Sequence, residues 1–131
     1  MILVDTSVWI NYFNGTTNEK VELLDRALSE QSVLIGDIIL TEILQGFNKD
    51  KDFNRAKQAL AYLNCVQLVD KDLAIKAATN FRFLRSKGKT IQKTVDMLIG
   101  TWCIEHEVEL LHNNKDFDHM ATYLPLKIHE S

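Results

Sequence analysis

Apolar residues along this chain follow two rhythms. Met1 to Val4 is a short unbroken apolar run that stops at Asp5, and beyond it Val8, Trp9, Tyr12 and Phe13 recur at helical spacing between Ser7 and Phe13. The opening therefore reads as strand, turn, helix. Lys20 to Glu30 is an amphipathic helix, Ser32 to Ile35 a brief strand, and Gly36-Asp37 a turn in which Asp37 is a suitable helix N-cap, with Ile39, Ile43 and Phe47 lining one face of the helix it opens. Asp52 to Leu63 reads as a further helix with Phe53, Ala56, Leu60 and Leu63 inward, followed by a strand at Cys65 to Leu68. Asp70 caps the next helix, whose stripe is Leu73, Ala77, Phe81 and Leu84 and which stops before Gly88. Lys93 to His106 is helical with Val95, Leu98, Ile99 and Trp102 on one face. Val108 to Leu111 is a strand, Asp116 opens a short helical turn, and Leu126 to Ile128 is expected as a final edge strand beyond Pro125.

Short apolar strands that alternate with helices predict a parallel sheet covered on both faces, because each parallel crossover needs a helix to return the chain. The expected fold class is α/β, a three-layer α/β/α arrangement around a central, mostly parallel sheet. Ligands in such sheets collect beyond the carboxyl ends of the strands, and Asp5 and Asp116 stand at such ends.

Composition narrows the class. With 131 residues, 46% of them apolar, and only 5 glycines and 1 proline, the chain suits one packed domain over residues 1–131, with neither linker nor repeat. Cys65 and Cys103 stand far apart and form no C-x-x-C pair, which argues against a disulfide framework or a zinc site and fits a reducing cytosol. The apolar opening lacks a basic leader and is broken by Asp5, so neither a signal peptide nor a membrane span is expected, and the expected location is cytoplasmic.

The net charge of -3 counts against a polyphosphate ligand until its distribution is considered. No acid occurs from Leu73 to Val95, whereas Lys76, Arg82, Arg85, Lys87, Lys89 and Lys93 all fall there. Such a run is ordinarily a solvated helix face; beside an acidic centre it becomes a candidate nucleic-acid surface.

The candidate centre is a set of carboxylates in apolar surroundings. Asp5 closes a strand, Glu42 lies within Ile38-Ile39-Leu40-Thr41-Glu42-Ile43-Leu44, and Asp96 follows the expected core position Val95. Singly, each reads as a boundary residue facing water. If the sheet brings these three and Asp116 into one crevice, each close pair repels by roughly 3 kcal/mol at about 5 Å and an effective dielectric of about 20. A cation would relieve that repulsion. Oxygen-only donors favour Mg²⁺ or Mn²⁺ over zinc, and such ions serve phosphodiester hydrolysis.

Four segments carry a family resemblance. M-I-L-V-D-T-S-V-W-I, T-E-I-L-Q-G, I-Q-K-T-V-D-M-L-I-G and L-L-H-N-N-K-D-F-D, in this order and spacing from Met1 to about His119, resemble the signature blocks of PIN-domain ribonucleases, and in particular the toxin half of VapBC toxin–antitoxin pairs. The resemblance implies a metal-dependent endoribonuclease that leaves 3′-hydroxyl and 5′-phosphate ends, with Asp5, Glu42, Asp96 and Asp116 as metal ligands. Ser7 matches a small polar residue beside the first acid, where it would bond a carboxylate or the scissile phosphate. Arg82, Arg85, Lys87, Lys89 and Lys93 would guide the RNA backbone. A VapB-type antitoxin and a homodimer are implied as partners, with Trp9, Tyr12, Phe13 and Phe47 as a candidate apolar patch for self-association. There are two departures: Asn114 stands where some relatives carry another acid, and His112 stands where threonine is common. The rival readings are a PIN-like module that binds RNA or protein without cutting, and an aspartyl-phosphate enzyme using Asp5. The second of these lacks the additional nearby acid that such sites carry.

Overall fold

The computed structural model describes residues 1–130. Its elements in order are β1 (Ile2–Val4), α1 (Thr6–Phe13), α2 (Glu19–Ser29), β2 (Val33–Gly36), α3 (Asp37–Gln45), α4 (Asp50–Leu60), β3 (Asn64–Val66), α5 (Lys71–Ser86), α6 (Thr94–His106), β4 (Glu109–Leu111) and α7 (Lys115–Tyr123). The four strands form one parallel sheet in the order β3-β2-β1-β4. β1 and β2 are buried along their whole length, as unbroken apolar runs in a doubly covered sheet should be.

The strand order fixes where the helices lie. From β1 to β2 to β3 the chain moves steadily toward one edge, and from β3 it returns across the sheet to β4 on the other side of β1. Since parallel crossovers are right-handed, α1 to α4 cover one face and α5 and α6 the opposite one. The packing agrees: α1 meets α2 and α3, and α3 meets α4, while α6 meets α5 and α7. The three-layer α/β/α architecture expected from the sequence is present. Its direction reverses at the β1–β4 pair, which leaves a crevice beyond the carboxyl ends of those two strands.

Several local expectations shift. Asp37 is the first residue of α3, and Gly36 is its N-cap. The Asp37 carboxylate instead accepts from Ile38 N–H at 2.8 Å and from Leu68 N–H at 3.2 Å, tying the segment after β3 to the start of α3. Leu68 lies so close over Gly36 that a Cβ there would stand 2.5 Å from a Leu68 methyl, so any side chain at the end of β2 would have to displace Leu68. The strand expected at Cys65 to Leu68 is found at Asn64–Val66. The helix expected from Asp52 to Leu63 runs Asp50–Leu60, and α7 is a nine-residue helix rather than a single turn. Leu126 to Ile128 forms no strand: it makes one bridge, Leu110 to Ile128, with Leu110 N–H donating to Lys127 C=O and His129 N–H to Leu110 C=O, too few rungs for a ladder.

The largest revision concerns α6. It is the central helix of its face and is buried nearly all round, through Asp96, Met97, Ile99, Gly100, Thr101, Trp102 and Cys103. Val95, read as core, is only partly buried, whereas Asp96 is 6% exposed. The acid therefore points into the protein.

Candidate active site

Asp5 follows β1 directly and is the N-cap of α1: its Oδ2 accepts from Ser7 N–H at 3.1 Å and from Ser7 Oγ–H at 2.6 Å. An aspartate suits this place because the first turn of a helix offers unsatisfied N–H groups and a partial positive charge. Its own N–H donates to Leu111 C=O at 2.9 Å, holding it against the end of β4. The side chain is 4% exposed. The Ser7 hydroxyl also links Asp5 to the β4–α7 loop by accepting from Asn113 N–H at 2.9 Å.

Asp96 enters from the first turn of α6 and accepts from Asn114 Nδ2 at 3.1 Å. Asn114 is also the N-cap of α7, its Oδ1 accepting from Asp116 N–H at 3.0 Å. Where some relatives place an acid, this chain thus has an amide that bonds one of the remaining acids. Glu42, half-buried on α3, accepts from Thr6 Oγ at 2.7 Å.

Burial first, and then the neighbouring charges of Asp5 and Glu42, push the Asp96 carboxyl up to about 6 against the Asn114 hydrogen bond and Lys93. Three of the four expected acids thus share one electrostatic neighbourhood. Asp116 sits half-buried in the first turn of α7 and is not among the charges that act most on Asp96. Among the described residues the close carboxylate–base pairs are Lys76 with Glu105, His112 with Asp118 and His129 with Glu109, so none of the four acids is ion-paired. The N-termini of α1, α6 and α7 supply only partial compensation.

Among the described residues no three His, Cys, Asp or Glu side chains converge on one metal-sized point. The donor set nonetheless fits a hard divalent ion, because Mg²⁺ keeps most of its waters and needs one or two carboxylates, not a full protein cage. Asp5 and Asp96 are the two that qualify, being buried, unpaired and mutually repelling.

The basic residues lie at the tip of the opposite face. Lys76 bonds Glu105 and Asn80 Nδ2 donates to Thr101 Oγ, which sets α5 antiparallel to α6 and brings the end of α5 level with the start of α6, near Asp96. Arg82, Arg85, Lys87 and Lys93 are exposed there and Lys89 is half-buried. Of the expected aromatic patch only Trp9 is fully buried; Tyr12, Phe13 and Phe47 are half-buried. Trp9 is 1% exposed, and the Trp9, Tyr12, Phe13 and Phe47 rings pack on one another at centroid distances of 5.3 to 5.9 Å, closing the core between α1 and α3.

Sequence reasoning missed Thr6 as the partner of Glu42 and Asn114 as the partner of Asp96. The available signals were the position of Thr6 inside D-T-S, directly after the strand, and the amide at Asn114 within the last signature segment.

An α/β fold with buried acids at its switch point defines the class. The PIN domain family model matches residues 2–123. A VapC ribonuclease of Mycobacterium bovis and ribonuclease VapC11 of Mycobacterium tuberculosis are each 34% identical over 127 residues, covering 92% of this chain and 92% of theirs. Among solved structures, VapBC2 of Rickettsia felis bound to a promoter DNA fragment superposes with a TM-score of 0.75 at 20% identity, covering 98% of both chains. This chain belongs to the PIN-domain family and, within it, to the VapC proteins.

Proposed function

We propose that the chain is a VapC-type endoribonuclease that hydrolyses RNA phosphodiester bonds with Mg²⁺ or Mn²⁺ held by Asp5 and Asp96. The observation that carries this reading is the pair itself, two buried carboxylates at the β1–β4 switch point with no cationic partner. A bound divalent ion supplies a water of lowered pKa and neutralises charge at the phosphate. The chain's own groups do the rest. Ser7 and Asn114 hold one oxygen each of Asp5 and Asp96, leaving the second oxygen of each available to a cation, and Thr6 holds Glu42. Glu42 and Asp116 would complete the site by direct ligation or through bound waters. Arg82, Arg85, Lys87, Lys89 and Lys93 offset the repulsion between an acidic centre and a polyanion.

The test is a cleavage assay on structured transfer and ribosomal RNA with Mg²⁺, Mn²⁺ or EDTA. Wild type is expected to cut only with metal, Asp5→Asn not to cut, and the double variant Arg85→Glu, Lys89→Glu to bind RNA at least about tenfold more weakly with a shallower salt slope. Folded protein that binds Mn²⁺ yet leaves every RNA intact would turn the reading to a non-catalytic binding module. An unchanged salt slope would remove the basic tip from the interface.

Two protein partners belong to the same proposal. A VapB-type antitoxin is supported by the likeness to VapBC proteins, and the groove of about 220 Å³ where Phe13 and Phe47 approach Glu42 is a place for it beside the acids. A second copy of the chain would pack on the apolar groove of about 490 Å³ between α5 and α6, lined by Ala77, Phe81, Met97 and Leu98. Sedimentation of the antitoxin-free protein should show a dimer that Leu98→Glu dissociates; a monomer at all concentrations would end that part.

A further inference from the structure

Two hydrogen bonds from the β4–α7 loop reach the acidic centre, one from the Asn113 backbone through Ser7 to Asp5 and one from the Asn114 side chain to Asp96. Both require the chain to turn sharply between residues 112 and 114. The bond that closes this turn is Asn114 N–H donating to His112 Nδ1 at 3.1 Å. A side-chain acceptor on one residue that takes the N–H two residues on makes an Asx or ST turn, which Asp, Asn, Ser or Thr ordinarily build. Here an imidazole builds it.

Because Nδ1 accepts, the ring is neutral and carries its proton on Nε2. The side chain is 3% exposed, and burial accordingly lowers the imidazole pKa, with Asp118 opposing. The Nε2 proton finds no hydrogen-bond partner: Asp118 Oδ1 stands 3.4 Å away without the alignment of a bond. An orphaned buried donor costs stability, and a phenyl ring would fill the space against Phe117 without that cost. What the imidazole provides at this position is the acceptor at Nδ1.

We propose that His112 is a positioning residue, whose Nδ1 closes a histidine-built ST turn and so sets where Asn113 and Asn114 hold Asp5 and Asp96. Its functional half rests on the nuclease reading above, while its structural half does not. A threonine hydroxyl at this position would be able to close the same turn.

Four variants separate the acceptor from the ring. His112→Asn keeps an acceptor two bonds beyond Cβ, as Nδ1 is, and His112→Thr keeps one a bond nearer; His112→Gln moves its amide outward to where Nε2 stood, and His112→Phe keeps the volume without an acceptor. Three quantities are read: amide hydrogen exchange at Asn114 in metal-free protein, affinity for Mn²⁺ alone by calorimetry, and kcat and KM for RNA. Asn and Thr are expected to keep Asn114 protection and Mn²⁺ affinity within about threefold of wild type. Gln and Phe are expected to lose at least about tenfold in both, the usual scale for groups that orient a metal ligand, with kcat reduced and KM unchanged. If all four variants instead follow thermal stability whatever their acceptor, His112 only packs and the proposal falls. If wild type binds Mn²⁺ but cuts no RNA, the nuclease reading fails while the exchange and Mn²⁺ measurements still decide the role of His112.

Discussion

Asp96→Asn should abolish RNA cleavage and, in the same molecule, raise the melting temperature of the metal-free protein. The carboxyl titrates near 6 in the fold, against an ordinary value of 3.8. An acid whose folded pKa is raised binds its proton more tightly in the native state, so its contribution is present below about pH 4 and is lost as pH rises through about 6. At pH 7.5 the ionised group costs about 2–3 kcal/mol. Asparagine keeps the acceptor for Asn114 Nδ2 and removes the charge. The variant should then melt roughly 5–10 °C higher at pH 7.5, and the two proteins should converge at pH 4. Mg²⁺ should stabilise wild type, as any ligand of the native state does, and leave the variant unmoved. Cleavage should fall at least about a thousandfold, several kcal/mol of lost transition-state stabilisation. A variant no more stable than wild type at pH 7.5 would show that Asp96 is not strained in the metal-free fold.

The second large effect is structural. Phe117 is fully buried on α7 against the His112 ring, with centroids 5.2 Å apart, and together with Met120 it reaches Gly100 of α6. The absence of a side chain at Gly100 permits this approach, since a Cβ there would stand 2.5 Å from Met120 Sδ. Phe117→Ala should therefore cost about 3–5 kcal/mol, a large share of the roughly 5–15 kcal/mol that holds a domain together. In urea the midpoint should fall with little change in slope. A loss below about 1 kcal/mol would mean that α7 is not anchored through this ring.

How much of this could be read from the sequence depends on distance along the chain. The M-I-L-V-D run declares both β1 and its terminal acid, because strand burial and the position of Asp5 are local facts. The alternation of strands and helices likewise predicts the parallel sheet. Asp96 was harder: adjacent positions on a helix point about 100° apart, and a helix buried nearly all round, as α6 is, has no polar face to show which neighbour turns inward. The bonds from Thr6 to Glu42 and from Asn114 to Asp96 join residues 36 and 18 positions apart, and nothing in the intervening sequence announces them. The failed strand at Leu126 to Ile128 marks the opposite limit, where an apolar-polar-apolar triplet meets a three-residue edge strand and makes only one bridge along it.

The strand order also sets a timetable. β1 lies between β2 and β4, and its pairing of Leu3 with Leu110 spans most of the chain. A chain emerging from the ribosome at about 5–20 residues per second thus holds Asp5 and Glu42 for seconds before the segment that completes their surroundings exists. Non-local parallel pairing is also slow once its strands are available. Pulse-labelled hydrogen exchange should find the Asp5 amide, which donates to Leu111, among the last to be protected. Cleaving power would then belong to the finished chain alone, and a neutralising partner made alongside it would have the whole of translation and folding as its head start.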